Sequence, residues 1–316
     1  MTKLLFRFAI LFVSVTVITA CSSSSDDTPN TDPTDDTSTD TSDDGGDDDS
    51  SSTAEIFLQS MSRTNSSNTL DKTTYQFLYN SDNQLTECSV TFPSLSVNRR
   101  MFIYDGSRLT RIDVIRPGEA AVKFFEFEYN DDGSLHQFTF WYSEDNPEYY
   151  VYNYDASGRV SLVNIYVSAA DLAANRPRFG KFRVYQDDAL DFSEEIVESY
   201  STVTGEIQNV TARRVNAFAA QETTLNFGSA LNEIPRVILL GDITRLTKDF
   251  LDFQFLPLNE DWINPETGDV QTVRSEVEPV FSSDGQLNSL QAKSYSIISD
   301  TPPTNDEIYE FTYVEQ

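Results

Sequence analysis

Four stretches of alternating apolar and polar residues each end on a tyrosine: YQFLY at Tyr79, MFIY at Tyr104, FFEFEY at Tyr129 and YYVYNY at Tyr154. Consecutive tyrosines stand 25 residues apart three times over, which marks an internal repeat. A turn follows each: NSDNQL after Tyr79, DGSRL after Tyr104, NDDGSL after Tyr129, DASGRV after Tyr154, and SSDGQL after the equivalent Phe281. Asn or Asp, then a Gly or Asn that tolerates positive φ, then a branched residue, suits a short hairpin with a bulge. A degenerate copy ends at Tyr185 (QDDAL), and its 31-residue offset is accounted for by an insertion, Ser168 to Asn175 (SAADLAAN), that reads as a helix of one to two turns. TGEIQNV from Thr204 and TGDVQTV from Thr267 read as two further hairpin turns. The spacing predicts about ten to fourteen antiparallel strands.

Strand side chains alternate between faces, so parity assigns the core. Before the turns the tyrosine parity holds Phe77, Phe102, Phe125, Phe127, Tyr150 and Tyr152, while Gln76, Glu126, Glu128 and Asn153 take the other. After the turns the apolar parity runs Cys88, Val90, Phe92; Ile112, Val114; Phe138, Phe140, Tyr142; and Val163, Ile165, Val167. The pattern is that of a sheet wet on one side. A meander this long must curl or close to protect its edges, which favours an all-β barrel or strongly curved sheet with one or two short helices. Residues 229–251 break the pattern, and Ile243, Leu246 and Phe250 at helical spacing predict a short helix capping the sheet.

Charge narrows the function classes. The 316 residues carry Lys+Arg 22 against Asp+Glu 51, a formal net charge of -29. Residues 1–53 hold two cations, Lys3 and Arg7, and 11 aspartates, leaving 20 cations and 40 carboxylates in 54–316. A nucleic-acid partner is excluded on this count, since phosphate binding needs clustered cations.

The N-terminus reads as an address. The run Phe8 to Ala20 is too short to span a bilayer as a helix and reads as a signal peptide over residues 1–20, ending in Ile18, Thr19, Ala20 and Cys21. Residues 22–53 contain only Ser, Thr, Asp, Asn, Pro and Gly, too polar and self-repelling to offset their ordering entropy. They read as a tether reaching about 30 Å as a coil and about 110 Å if stretched. Calcium binding by this tract is the sharper alternative, but it lacks the alternating ligands of a calcium loop. The folded domain is expected over 54–316.

Small residues before Cys21 resemble the bacterial lipobox, in which the cysteine is acylated and becomes the new N-terminus; Ile18 stands where Leu is commoner. The acidic run after it, from Asp26, resembles the export signal of Bacteroidota surface lipoproteins, and YVYNYDASGRVSLV from Tyr150 to Val163 resembles the YD repeat of Rhs-type shell proteins. Lipobox, acidic tether and hairpin domain together resemble a Bacteroidota lipoprotein family of unknown function with a porin-like fold. That resemblance implies an outer-membrane lipid anchor, palmitate included, with exposure at the cell surface or, alternatively, on the periplasmic face. It brings no catalytic residues.

Little else carries chemistry. His136 is the chain's one histidine, in register with Phe138, and cannot build a histidine-based metal site alone. Cys88, on the apolar parity, reads as an inert core thiol. No nucleophile-elbow, zinc-protease, paired-cysteine or phosphate-loop pattern is present, so no cofactor, metal or catalytic residue is assigned. Trp141, on the wetter parity with Gln137 and Thr139, and Trp262, beside Asp261 in a loop-like stretch, are the candidates for ligand contact. Flat aromatic faces beside acidic residues suit sugars, although Trp141 packed under a covering loop is the plainer reading. The expectation is a noncatalytic binding or scaffold module, with an extracellular glycan or protein as partner. A carboxylate-pair hydrolase and a transmembrane barrel are the further alternatives.

Overall fold

A computed structural model describes residues 55–143, 145–186, 189–223, 225–227, 231, 253–296, 303 and 305–315. Sixteen strands follow one another: β1 Ile56–Asn65, β2 Asn68–Tyr79, β3 Leu85–Thr91, β4 Val97–Asp105, β5 Arg108–Ile115, β6 Val122–Tyr129, β7 Leu135–Trp141 and β8 Pro147–Tyr154. They continue as β9 Val160–Tyr166, β10 Phe179–Tyr185, β11 Phe192–Tyr200, β12 Ile207–Glu222, β13 Phe255–Ile263, β14 Val270–Phe281, β15 Leu287–Ser296 and β16 Asn305–Glu315. Each pairs antiparallel with its neighbours in sequence, and β1 pairs with β16, so the meander closes into a barrel. The insertion before β10 is a short helix, α1 Ala169–Ala173, capped by the Ser168 hydroxyl accepting from the Asp171 N–H. The helix expected within 229–251 lies outside the described residues.

The repeated turn has one hydrogen-bond plan. Asn130 N–H donates to the Ser134 carbonyl and Gly133 N–H to the Asn130 carbonyl; Asp155, Gly158 and Arg159 repeat the arrangement. Gly133 and Gly158 have φ of +94° and +78°, a region nearly closed to side chains. A Cβ on Gly158 would meet nothing within 4 Å, so Gly158→Val isolates the backbone penalty. It is expected to cost about 1 kcal/mol or more, read as a melting temperature lowered by about 2–4 °C per kcal/mol. An unchanged melt would mean that the turn does not depend on this conformation.

The 25-residue spacing has a physical cause. The Tyr104 hydroxyl donates to the Leu85 carbonyl at 2.8 Å, Tyr129 to Leu109 at 2.7 Å, and Tyr154 to Leu135 at 2.6 Å. Tyr79, Tyr185 and Tyr313 do the same to Leu58, Val160 and Leu287. Each tyrosine thus satisfies a carbonyl that the bulged ladder leaves over. The leucines that follow the turns, Leu85, Leu109, Leu135 and Leu287, are fully buried.

The aromatic parity lines the lumen, and it is dry. Phe125, Leu109 and Ile112 are 0% exposed, and Phe77, Phe138, Phe140 and Leu290 are buried in the same cluster. Leu225, Phe227 and Leu231, from the connection after β12, join that cluster, and the Leu58 N–H donates to the Asn226 carbonyl. The outer face carries ion pairs: Arg99 with Glu87, Arg111 with Asp113, Arg274 with Asp261, Arg214 with Glu194, and Lys293 with Glu278. One registered row of apolar residues, Leu162, Phe182, Ile196, Ala212, Ile263 and Val270, crosses β9 to β14 on that face. It is bordered by Glu194, Arg214 and Asp261. A lipid-facing band about 25 Å tall needs many such rows, whereas charged residues border this one on β11, β12 and β13.

Four expectations are corrected. The strands number sixteen rather than ten to fourteen. His136 is exposed, not in register with Phe138, because the bulge between Glu128 and Tyr129 inserts one residue and turns Leu135 inward in its place. Tyr142, expected on the core face, is 48% exposed, since β7 ends at Trp141. Trp262 lies within β13, not a loop, on the lumen side opposite Arg213.

Candidate functional site

The barrel wall parts between β6 and β7. Their ladder runs from Tyr129 and Leu135 to Phe125 and Phe140 and stops there. Beyond that point Val122 and Lys123 pair only with β5, and Trp141 pairs only with Pro147 of β8. The cause is local. A register shift between Ile112 and Asp113 makes Phe124 an extra residue, and its ring turns onto Phe125 and Phe140 at centroid distances of 4.6 and 5.2 Å. The next residues of β6 are thereby swung away from β7.

The gap is a slot of about 520 Å³ through the rim. Phe124, Trp141 and Tyr142 supply aromatic surface, Arg116 and Lys123 the charge, with Val114, Val122 and Ser143 completing the lining. Lys123 Nζ stands 4.7 Å from the centre of the Trp141 ring, a cation–π arrangement, and also pairs with Glu126. Arg116 reaches Glu119 at 3.4 Å, with both side chains about half exposed. The Trp141 indole N–H is enclosed and has no acceptor among the described residues. Below the rim, Tyr142 and Tyr150 both donate to Glu148, at 3.3 and 3.0 Å. Burial, then the charge of Glu148, raises the pKa of both phenols, so both stay protonated donors at neutral pH.

A second polar feature lies inside the barrel. On β10 to β13 the lumen parity carries charge where the repeats carry aromatics: Lys181, Arg183, Glu195, Arg213 and Glu260. Glu195 lies 3.7 Å from Lys181, 3.3 Å from Arg183 and 3.5 Å from Arg213, whose other nitrogen is 3.5 Å from Glu260. Arg213 is 1% exposed, its guanidinium 5.0 and 5.8 Å from the Phe192 and Phe253 ring centres. Desolvation is the largest single influence on Glu195 and would raise its pKa, but Lys181, Arg213 and Arg183 together outweigh it and push the carboxyl down to about 2. Trp262 borders this cluster. A sealed ion cluster of this kind orders four strands rather than offering a site.

The two tryptophans are not brought together. Trp141 is on the outer parity of β7 and lines the slot; Trp262 faces the lumen from β13. Cys21 lies outside the described residues. Cys88 is buried and free, and burial pushes its thiol up to about 11, which removes it as a nucleophile. Among the described residues no three His, Cys, Asp or Glu side chains converge as metal ligands. The slot and the charge cluster were not anticipated from sequence, yet each leaves a trace there. The Phe124–Phe125 doublet breaks alternation at the bulge, and Arg183 occupies the position that Phe77, Phe102, Phe127 and Tyr152 hold in the other repeats.

No protein-family profile matches the sequence, and no curated protein matches it. Similar solved structures include a porin-like protein from Bacteroides uniformis at 11% identity and TM-score 0.49, covering 81% of this chain and 96% of that one. A porin-like protein from Bacteroides vulgatus follows at 9% identity and TM-score 0.36, covering 82% and 99%. The TcdB2–TccC3 structure is similar at 14% identity and TM-score 0.28, covering 69% of this chain and 12% of that one. These are low-identity likenesses of chain path, and none bears on what this barrel binds.

Proposed function

We propose that this protein is a lipid-anchored, outer-membrane module that stands at the cell surface and holds a ligand at its rim without transforming it. The observation that carries the reading is the dry lumen inside a polar wall. A conducting barrel of this strand number leaves its lining wet, whereas Phe125 and Arg213 alike are sealed from water. The barrel then serves as a rigid pedestal for the features of its rim, where Trp141 and its neighbours line an opening of ligand size. Hydrolysis by a carboxylate pair needs two acids facing across a cleft, and none of the described residues lining the slot is acidic. Cys21 supplies the anchor in this reading, with three acyl chains where a single chain binds only marginally, and residues 22–53 supply the reach.

Cys21→Ala is expected to leave an unprocessed or soluble product that takes up no labelled palmitate. Retention in carbonate-washed membranes would remove the anchor. Protease added to intact cells is expected to cut between Ser22 and Thr53 and to release a compact fragment beginning near Ala54. Replacing Asp26 and Asp27 by Ala should lower that exposure without lowering total protein. Cleavage only after the outer membrane is opened would place the barrel in the periplasm and end the surface reading.

A further inference from the structure

The geometry points to a ligand class for the slot: we infer that it binds a carboxylate-bearing saccharide, a uronate-containing oligosaccharide. Its aromatic walls would take the sugar faces, and Lys123 and Arg116 the carboxylate. The inference rests on the reading of the barrel as a binding module.

Charge gives the first argument. Residues 54–316 carry twice as many carboxylates as cations, yet among the described residues the slot is lined by two cations and no carboxylate. A site of that sign within an acidic domain repels cations and selects an anion at short range, where screening matters least. The partners of both cations, Glu119 and Glu126, stand outside the slot lining, and surface pairs of this kind are worth at most about 1 kcal/mol. A ligand carboxylate can therefore replace either glutamate at little cost, and an arginine accepts it in a bidentate fork.

The second argument is the enclosed Trp141 N–H. A buried donor without an acceptor costs about 1–3 kcal/mol, and a purely apolar ligand would leave it so. A hydroxyl or ring oxygen would relieve it once the side chains that enclose the indole edge give way. Sugars present both that oxygen and an apolar face, and the exposed Tyr142 offers a second flat surface beside Trp141. The size agrees, because about 520 Å³ lies within the volume range of small-ligand sites.

The test uses the full chain with Trp262→Phe, so that Trp141 is its one remaining indole. Titration with a galacturonic acid trimer should give a saturable change in Trp141 emission, and a neutral galactose trimer should bind at least tenfold more weakly. Lys123→Gln and Arg116→Gln should each weaken uronide binding about tenfold or more, the scale of one charge-assisted contact. Added salt should weaken it further. Calorimetry on the chain with both tryptophans repeats the comparison should Trp262→Phe disturb the lumen. Equal affinity for the neutral trimer, no uronide binding at millimolar concentration, or binding untouched by both cation variants would overturn the inference. Surface display, read separately by protease on intact cells, distinguishes a wrong ligand class from a wrong reading of the module.

Discussion

Replacing Glu195 by glutamine is expected to destabilise the barrel by about 3–5 kcal/mol at neutral pH, the scale for leaving buried charge uncompensated. Three cations, Lys181, Arg183 and Arg213, lie within 4 Å of that carboxylate, and Glu260 pairs with Arg213 on its other side. The sign of the pH dependence follows. The folded-state pKa of Glu195 is depressed from its ordinary 4.5 to about 2, so its contribution is complete above about pH 4.5 and is lost as pH falls towards 2. The variant lacks the contribution at every pH. Urea unfolding of both proteins should therefore show a gap that is full at neutral pH and closes in acid. A gap below about 1 kcal/mol at pH 7, or one that persists unchanged at low pH, would mean that the cluster does not hold β10 to β13 together.

The repeat was legible because one physical device recurs. A tyrosine hydroxyl must reach the carbonyl left over by the preceding bulged hairpin, and that fixes both the residue type and the 25-residue step from Tyr79 to Tyr154. Parity was legible wherever no bulge intervened, as at Cys88, Val90, Phe127 and Phe138. It failed at His136 because a bulge adds a residue without changing composition, so nothing near Leu135 announces the reversal. Trp262 was misplaced for another reason: the β12–β13 connection carries no tyrosine, so no period reaches β13 from either side.

The candidate site was half legible. Trp141 could be assigned to the outer face by counting from Phe138 and Phe140, but its neighbours in the slot come from Arg116 to Phe124, and the slot exists because Phe124 is an extra residue. Sequence alternation cannot say which of two adjacent phenylalanines is extra, since both are apolar and both find the core. The charged lumen of β10 to β13 was hidden by the same habit of reading. Lys181 and Arg183 resemble solvent-facing residues until Val163, across the ladder from Lys181, shows that this parity points inward.

Phe125→Ala separates a packed pedestal from a conduit. The ring is fully buried, stacks on Phe140 at 5.3 Å, and lies 5.9 and 6.2 Å from Phe138 and Phe127. Removing it from a close-packed interior loses the transfer energy of the ring and leaves a cavity that its neighbours cannot fill, a cost of about 3–5 kcal/mol. Thermal unfolding should drop by about 10 °C for a domain of this size. In a water-filled lumen the same ring would be solvated in both states, and its loss would shift stability by no more than about 0.5 kcal/mol, as at a surface position. Planar bilayers supply the companion measurement, in which neither the native protein nor the variant should produce conductance steps. A silent Phe125→Ala together with stepwise conductance would make the lumen a passage, and the rim slot would then belong to its mouth rather than to a pedestal.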